Sequence, residues 1–80
     1  MTNVELLREK IRESGYKISF LANKCGLTPQ GFYPKLNGKR EFFQGEIKVL
    51  RELLRLTPND VSMIFFAEKV DEESTSKEAV

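Results

Sequence analysis

Apolar residues recur along the chain at the spacing of amphipathic helices, and short breaks rich in Gly, Pro and Asn divide them into five segments. The first, Thr2 to Ser14, sets Val4, Leu7 and Ile11 on one stripe with Glu and Arg between them; Thr2 or Asn3 can cap its start, and Gly15 stops it. The second, Ile18 to Cys25, turns Ile18, Leu21, Ala22 and Cys25 inward, and Gly26 follows as a residue able to take the left-handed conformation of a sharp turn. The third opens at Thr28-Pro29, a hydroxyl cap followed by proline at the first helical position, and ends at Asn37-Gly38. The fourth, near Phe43 to Leu56, places Ile47, Leu50, Leu53 and Leu54 on one face. The fifth opens at Thr57-Pro58-Asn59-Asp60, where a cap, a proline and an acid at the third position coincide, and carries Val61, Ile64 and Phe65. Phe66 to Val70 reads equally as a last helical turn or a short strand. The pattern predicts an all-α, five-helix domain over residues 1–68 and an acidic, disordered tail over residues 69–80.

The third segment contains a local conflict. Pro34 has no N–H for the carbonyl of Gln30, a loss of about 3 kcal/mol in a regular helix interior. Gly31 lowers the intrinsic propensity further. This helix is expected to be short, bent or tightened near Pro34, and to be held by Phe32 and Leu36, spaced i and i+4, rather than by its own preference.

Composition narrows the class. Eighty residues make one domain, with 40% hydrophobic and 31% charged residues, as in ordinary soluble globular proteins. No apolar run approaches the roughly 20 residues of a membrane span, and the N-terminus has no apolar signal core, so a cytoplasmic location is expected. A single cysteine excludes an internal disulfide. Cys25 falls on the core face of its helix and reads as a buried structural thiol. Phe42, Phe43, Phe65 and Phe66 exceed what a small core easily absorbs; most are assigned to it, with Phe66 and Val70 left as candidates for a dimer contact.

Net charge is only +1, but it is unevenly placed. Asp71, Glu72, Glu73 and Glu78 against Lys77 give residues 71–80 a charge of −3, which leaves +4 on residues 1–70. Between Lys17 and Arg40 there are five basic residues (Lys17, Lys24, Lys35, Lys39, Arg40) and no acidic one. Such a block is either a solvated face or an electrostatic footprint for phosphate. The acidic run is either a solubilising end or a competitor for that basic face.

The second and third segments together have the layout of a helix-turn-helix. Two helices crossing at close range need a small residue where they meet, a tight turn, and an apolar plug. Ala22, Gly26 and Leu27 stand in that order, and Phe32 and Leu36 face the core, leaving Thr28, Pro29, Gln30, Tyr33, Pro34 and Asn37 along the outward side. With the Leu36-Asn37-Gly38-Lys39-Arg40 exit, these residues resemble the phage-repressor (Cro/XRE-type) helix-turn-helix family over about residues 3–66. The Lys39-Arg40-Glu41-Phe42 exit, Glu46-Ile47 and Ile64-Phe65-Phe66 are similar to small repressor-like proteins of Gram-positive prophages.

The resemblance implies a five-helix lambda-repressor-like domain and a transcriptional regulator, in expectation a repressor, that binds double-stranded operator DNA as a homodimer. By position, the third helix would lie in the major groove with its N-terminal part at the base edges. Gln30 is the first candidate for direct readout, since its amide can both donate to and accept from adenine. Tyr33 would contact a thymine methyl or a phosphate. Thr28 and Pro29 lie on the same side, with the Thr28 hydroxyl divided between capping and contact. Asn37, Lys39 and Arg40 would meet the backbone at the exit, and Lys17 and Ser19 would do so at the start of the second helix. Ile18 departs from the family, where a Gln often grips the backbone; Pro34 is the second departure.

The alternative is a repressor-fold interaction module, an antirepressor or inhibitor, that does not read DNA. An enzyme is not expected: the chain has no histidine, no phosphate-cradling glycine loop and no paired carboxylates in a plausible cleft. Nor is a cofactor, metal, small-molecule ligand or membrane partner expected.

Overall fold

A computed structural model describes residues 1–66, which form five helices: α1 (Val4–Ser14), α2 (Ile18–Lys24), α3 (Pro29–Leu36), α4 (Gln44–Leu53) and α5 (Pro58–Phe65). The expectation of an all-α chain holds for these residues. The expected tail, Val70 and the domain boundary at residue 68 lie outside them. Phe66 stands at the C-cap of α5, and the rest of the segment read as helical turn or strand, residues 67–70, lies outside the described residues.

The helices start where polar side chains satisfy first-turn amides. Asn3 Oδ1 accepts from the Leu6 N–H at 3.1 Å and Thr28 Oγ1 from the Gly31 N–H at 3.2 Å. At α5 the exchange is reciprocal: Thr57 Oγ1 accepts from the Asp60 N–H, and the Asp60 carboxylate accepts from the Thr57 N–H, both at 3.0 Å. The backbone N–H of Thr57 is the main reason the Asp60 carboxyl is held below the ordinary range. Helix α4 lacks a polar cap, because Phe43 occupies that position. Glu46 compensates by reaching back to accept from the Phe43 N–H at 2.8 Å.

Two turns depend on backbone conformation. Gly26 takes φ +78° and ends α2, while the Leu27 N–H donates to the Ala22 carbonyl at 2.9 Å. Helix α4 ends the same way without a glycine: Arg55 sits at φ +56°. The Leu56 N–H then donates to the Arg51 carbonyl at 2.9 Å, and Leu56 turns into the core. This is why α4 stops at Leu53 rather than near Leu56. Arg55 bears a side chain in a region that costs L-residues about 1–2 kcal/mol.

The core is built from Leu7 and Ile11 of α1, Leu21 and Ala22 of α2, Phe32 and Leu36 of α3, Leu50 and Leu54 around α4, and Leu56, Ile64 and Phe65 near α5. Phe42 completes it from the α3–α4 connection. Phe32, Phe42 and Phe65 meet edge to face in series, with centroids 5.8 and 5.6 Å apart. Phe43 and Phe66 are exposed, so only two of the four phenylalanines in question belong to the core. Helix α3 packs on α1 and α2, and α5 packs on α1 and α4. The Asn3 N–H donates to the Ile64 carbonyl at 2.6 Å, joining the start of α1 to the end of α5.

Replacing Arg55 with glycine should raise unfolding stability by about 0.5–1 kcal/mol, whereas Gly26→Ala should lower it by about 1–2 kcal/mol. Urea or thermal unfolding measures both; a neutral or destabilising Arg55→Gly would contradict the account of the α4 terminus.

Candidate nucleic-acid interface

Helices α2 and α3 are held together at a small residue. Ala22 is fully buried, and Leu27 and Cys25 are half-buried against the core beside it. Ile18 also packs against the core. Its apolar character, the departure noted above, is that of a packing residue.

On α3, Phe32 and Leu36 are fully buried, while Pro29, Gln30 and Tyr33 on the helix and its cap Asn37 are exposed. At 100° per residue, Gln30, Tyr33 and Asn37 fall on one outward stripe. The helix is short, eight residues, as its Gly31 and Pro34 imply. Beyond it, the Pro34 carbonyl accepts from the backbone N–H groups of both Lys39 (2.8 Å) and Arg40 (3.2 Å). The exit loop is thereby tied to α3, and Lys39 and Arg40 are carried exposed at its C-terminal end.

Two of the sequence expectations change. Lys35, counted among the cations of the basic block, is only 6% exposed. Its ammonium donates to Glu46 Oε1 and Oε2 at 2.7 and 2.9 Å and sits 3.9 Å from the centroid of the Phe43 ring. Phe32, Lys35 and Leu36 follow the i, i+3, i+4 spacing of an inward face, and this was the available signal. Lys17, Lys24, Lys39 and Arg40 remain exposed. Asn37 is exposed, but its Oδ1 accepts from the Arg8 guanidinium of α1, so its amide N–H₂ is what it offers outward.

The other candidates stand as follows. Thr28 is exposed with its oxygen engaged in capping. Lys17 occupies the N-cap of α2 with no side-chain capping bond, and Ser19 is exposed in the first turn. Sequence reasoning missed a second exposed group. Tyr16 and Phe20 stack with centroids 5.0 Å apart, and the Lys24 ammonium lies 5.5 Å from the centre of the Phe20 ring. Phe20 and Lys24 share one edge of α2 at i, i+4 spacing, while Tyr16 reaches Phe20 from the residue just ahead of the N-cap.

Cys25 is half-buried rather than fully buried. Desolvation, with a smaller contribution from nearby Glu46, pushes its thiol up to about 11. Burial thus disfavours the thiolate, the form in which a cysteine acts as a nucleophile. Among the described residues no cluster of acidic and thiol side chains is placed to hold a metal ion, and no helix is long and apolar enough to cross a membrane.

Lys35→Met should cost about 3 kcal/mol, because it leaves the Glu46 carboxylate buried with a single backbone donor. Lys35→Met combined with Glu46→Leu should cost less than that single change, as read by urea unfolding; simple additivity of the two would contradict a coupled pair. No family model, curated protein or solved structure matches the chain.

Proposed function

We propose that this chain is a sequence-specific DNA-binding transcriptional regulator of the phage-repressor type, with α2 and α3 as its helix-turn-helix. The observation that carries this reading is the two-sidedness of α3. One side is locked into the core by Phe32, Lys35 and Leu36; the other presents Gln30 and Tyr33 between exposed cations, with no acidic residue from Lys17 to Arg40. A helix held in this way offers a polar edge at fixed geometry to the major groove. Gln30 is the base reader, with Tyr33 one turn further on. Thr28 and Pro29 shape the leading end. Lys39, Arg40, Lys17 and Ser19 set the register on phosphates, assisted by the Asn37 amide. Two copies on adjacent half-sites, about 34–36 Å apart, would give a palindromic operator.

A second reading is favoured by the exposed Tyr16–Phe20 stack, which lies off the α3 stripe. It is an interaction module of antirepressor or inhibitor type, which would show no salt-dependent retention on DNA.

Selection from random duplex DNA, with protein mass in solution, should return an enriched palindrome and a dimer. Gln30→Ala should lose roughly 1–3 kcal/mol at one base position and relax preference there, and Lys39→Ala should weaken all duplexes alike and lower the salt slope by about 1. No enrichment, with no effect of either change, would reject DNA reading.

A further inference from the structure

The end of α1 and the end of α4 border a cleft of about 460 Å³, lined by Lys10, Glu13, Tyr16, Leu53, Leu54 and Arg55. Four of the described residues take a positive φ; three are glycines and the fourth is Arg55. Glycine would hold that turn with less strain, whereas arginine adds a guanidinium to the lining of the cleft. No acid among the described residues pairs with it. Lys10 lies in the same lining, its ammonium 4.0 Å from Asp60.

Tyr16 belongs both to this cleft and to the exposed stack on Phe20, so the cleft and the outer edge of α2 form one continuous surface. Lys24 follows Phe20 along that edge, with its ammonium 5.5 Å from the ring centre. Cations therefore stand at both ends of the surface, and two aromatic rings lie between them. We propose that this surface docks an acidic peptide segment of a partner protein. One carboxylate meets Arg55 in the cleft, an apolar side chain covers the Tyr16–Phe20 stack, and a second carboxylate lies near Lys24. A guanidinium matches a carboxylate through two parallel N–H bonds, and aromatic and arginine side chains are the usual anchors at interface centres. Glu13 and Asp60 beside the cleft repel a continuous polyanion such as single-stranded nucleic acid, whereas two separated carboxylates can avoid them. The surface lies off the outward stripe of α3, so the proposal stands whether or not α3 reads DNA.

The test uses the full chain and a fluorescein-labelled hexapeptide, Glu-Glu-Phe-Leu-Glu-Glu, read by anisotropy at low salt. This peptide should bind, its Gln-Gln-Phe-Leu-Gln-Gln counterpart roughly tenfold more weakly, with the difference shrinking as ionic strength rises. Arg55→Gly, which relieves the backbone at that turn, and the double change Y16S/F20S should each weaken binding roughly threefold to tenfold. Lys48→Gln, at an exposed cation of α4, should leave it unchanged. No binding, equal binding of the two peptides, or equal losses in Arg55→Gly and Lys48→Gln would overturn the proposal. Tighter binding of oligo-dT that is lost in Y16S/F20S would overturn it in favour of nucleic acid. A dimer mass in solution that falls to a monomer in Y16S/F20S would overturn it in favour of a second copy of the chain.

Discussion

The buried ion pair between Lys35 and Glu46 is the constraint on which the placement of α3 turns. One carboxylate accepts both bonds from the Lys35 ammonium and also the backbone N–H of Phe43, so it joins α3 to α4 while capping α4. Phe43 cannot cap its helix with its own side chain, but its ring lies beside the ammonium and helps close the site to water. Such a pair adds little stability over an apolar substitute of the same shape. Its contribution is to register: a lysine that must meet a carboxylate in a dry site allows α3 one rotation about its axis.

That restriction matters because α3 is a poor helix in isolation. Gly31 and Pro34 both weaken it, and its eight residues are too few to be stable alone in water. Its conformation is imposed from beneath by Phe32, Lys35 and Leu36 and from its ends by Thr28 and the Pro34 carbonyl. The outward residues Gln30 and Tyr33 take no part in this. They can therefore change with little effect on the fold, which is the arrangement expected of a surface whose residues set specificity.

What was legible in the sequence was local. Thr28-Pro29, Thr57-Pro58 with Asp60, and Gly26 each announce a boundary through bonds made within a few residues, and the apolar spacing identified the faces of all five helices. Pro34 correctly marked a short helix. The misreadings came from partners distant in sequence or from conformations that the residue type does not advertise. Lys35 reads as a surface cation until Glu46 is placed against it, and the bond from Arg8 of α1 to Asn37 Oδ1 is invisible for the same reason. Arg55 adopts a glycine-like conformation because burying Leu56 requires it, and arginine gives no hint of that. Of the candidate interface, the outward stripe and its exposed cations were visible in advance, while the Tyr16–Phe20 stack was not.

The central claim, that the outward stripe of α3 is the surface that meets DNA, is tested most directly by titrating isotope-labelled protein with duplex DNA and following backbone and side-chain resonances. The account predicts that the largest changes fall on the Gln30 side-chain amide, Tyr33, Lys39 and Arg40, with the environment of Lys35 and Glu46 unaltered. Changes centred on Tyr16, Phe20 and Lys24, or no change at low salt, would contradict it.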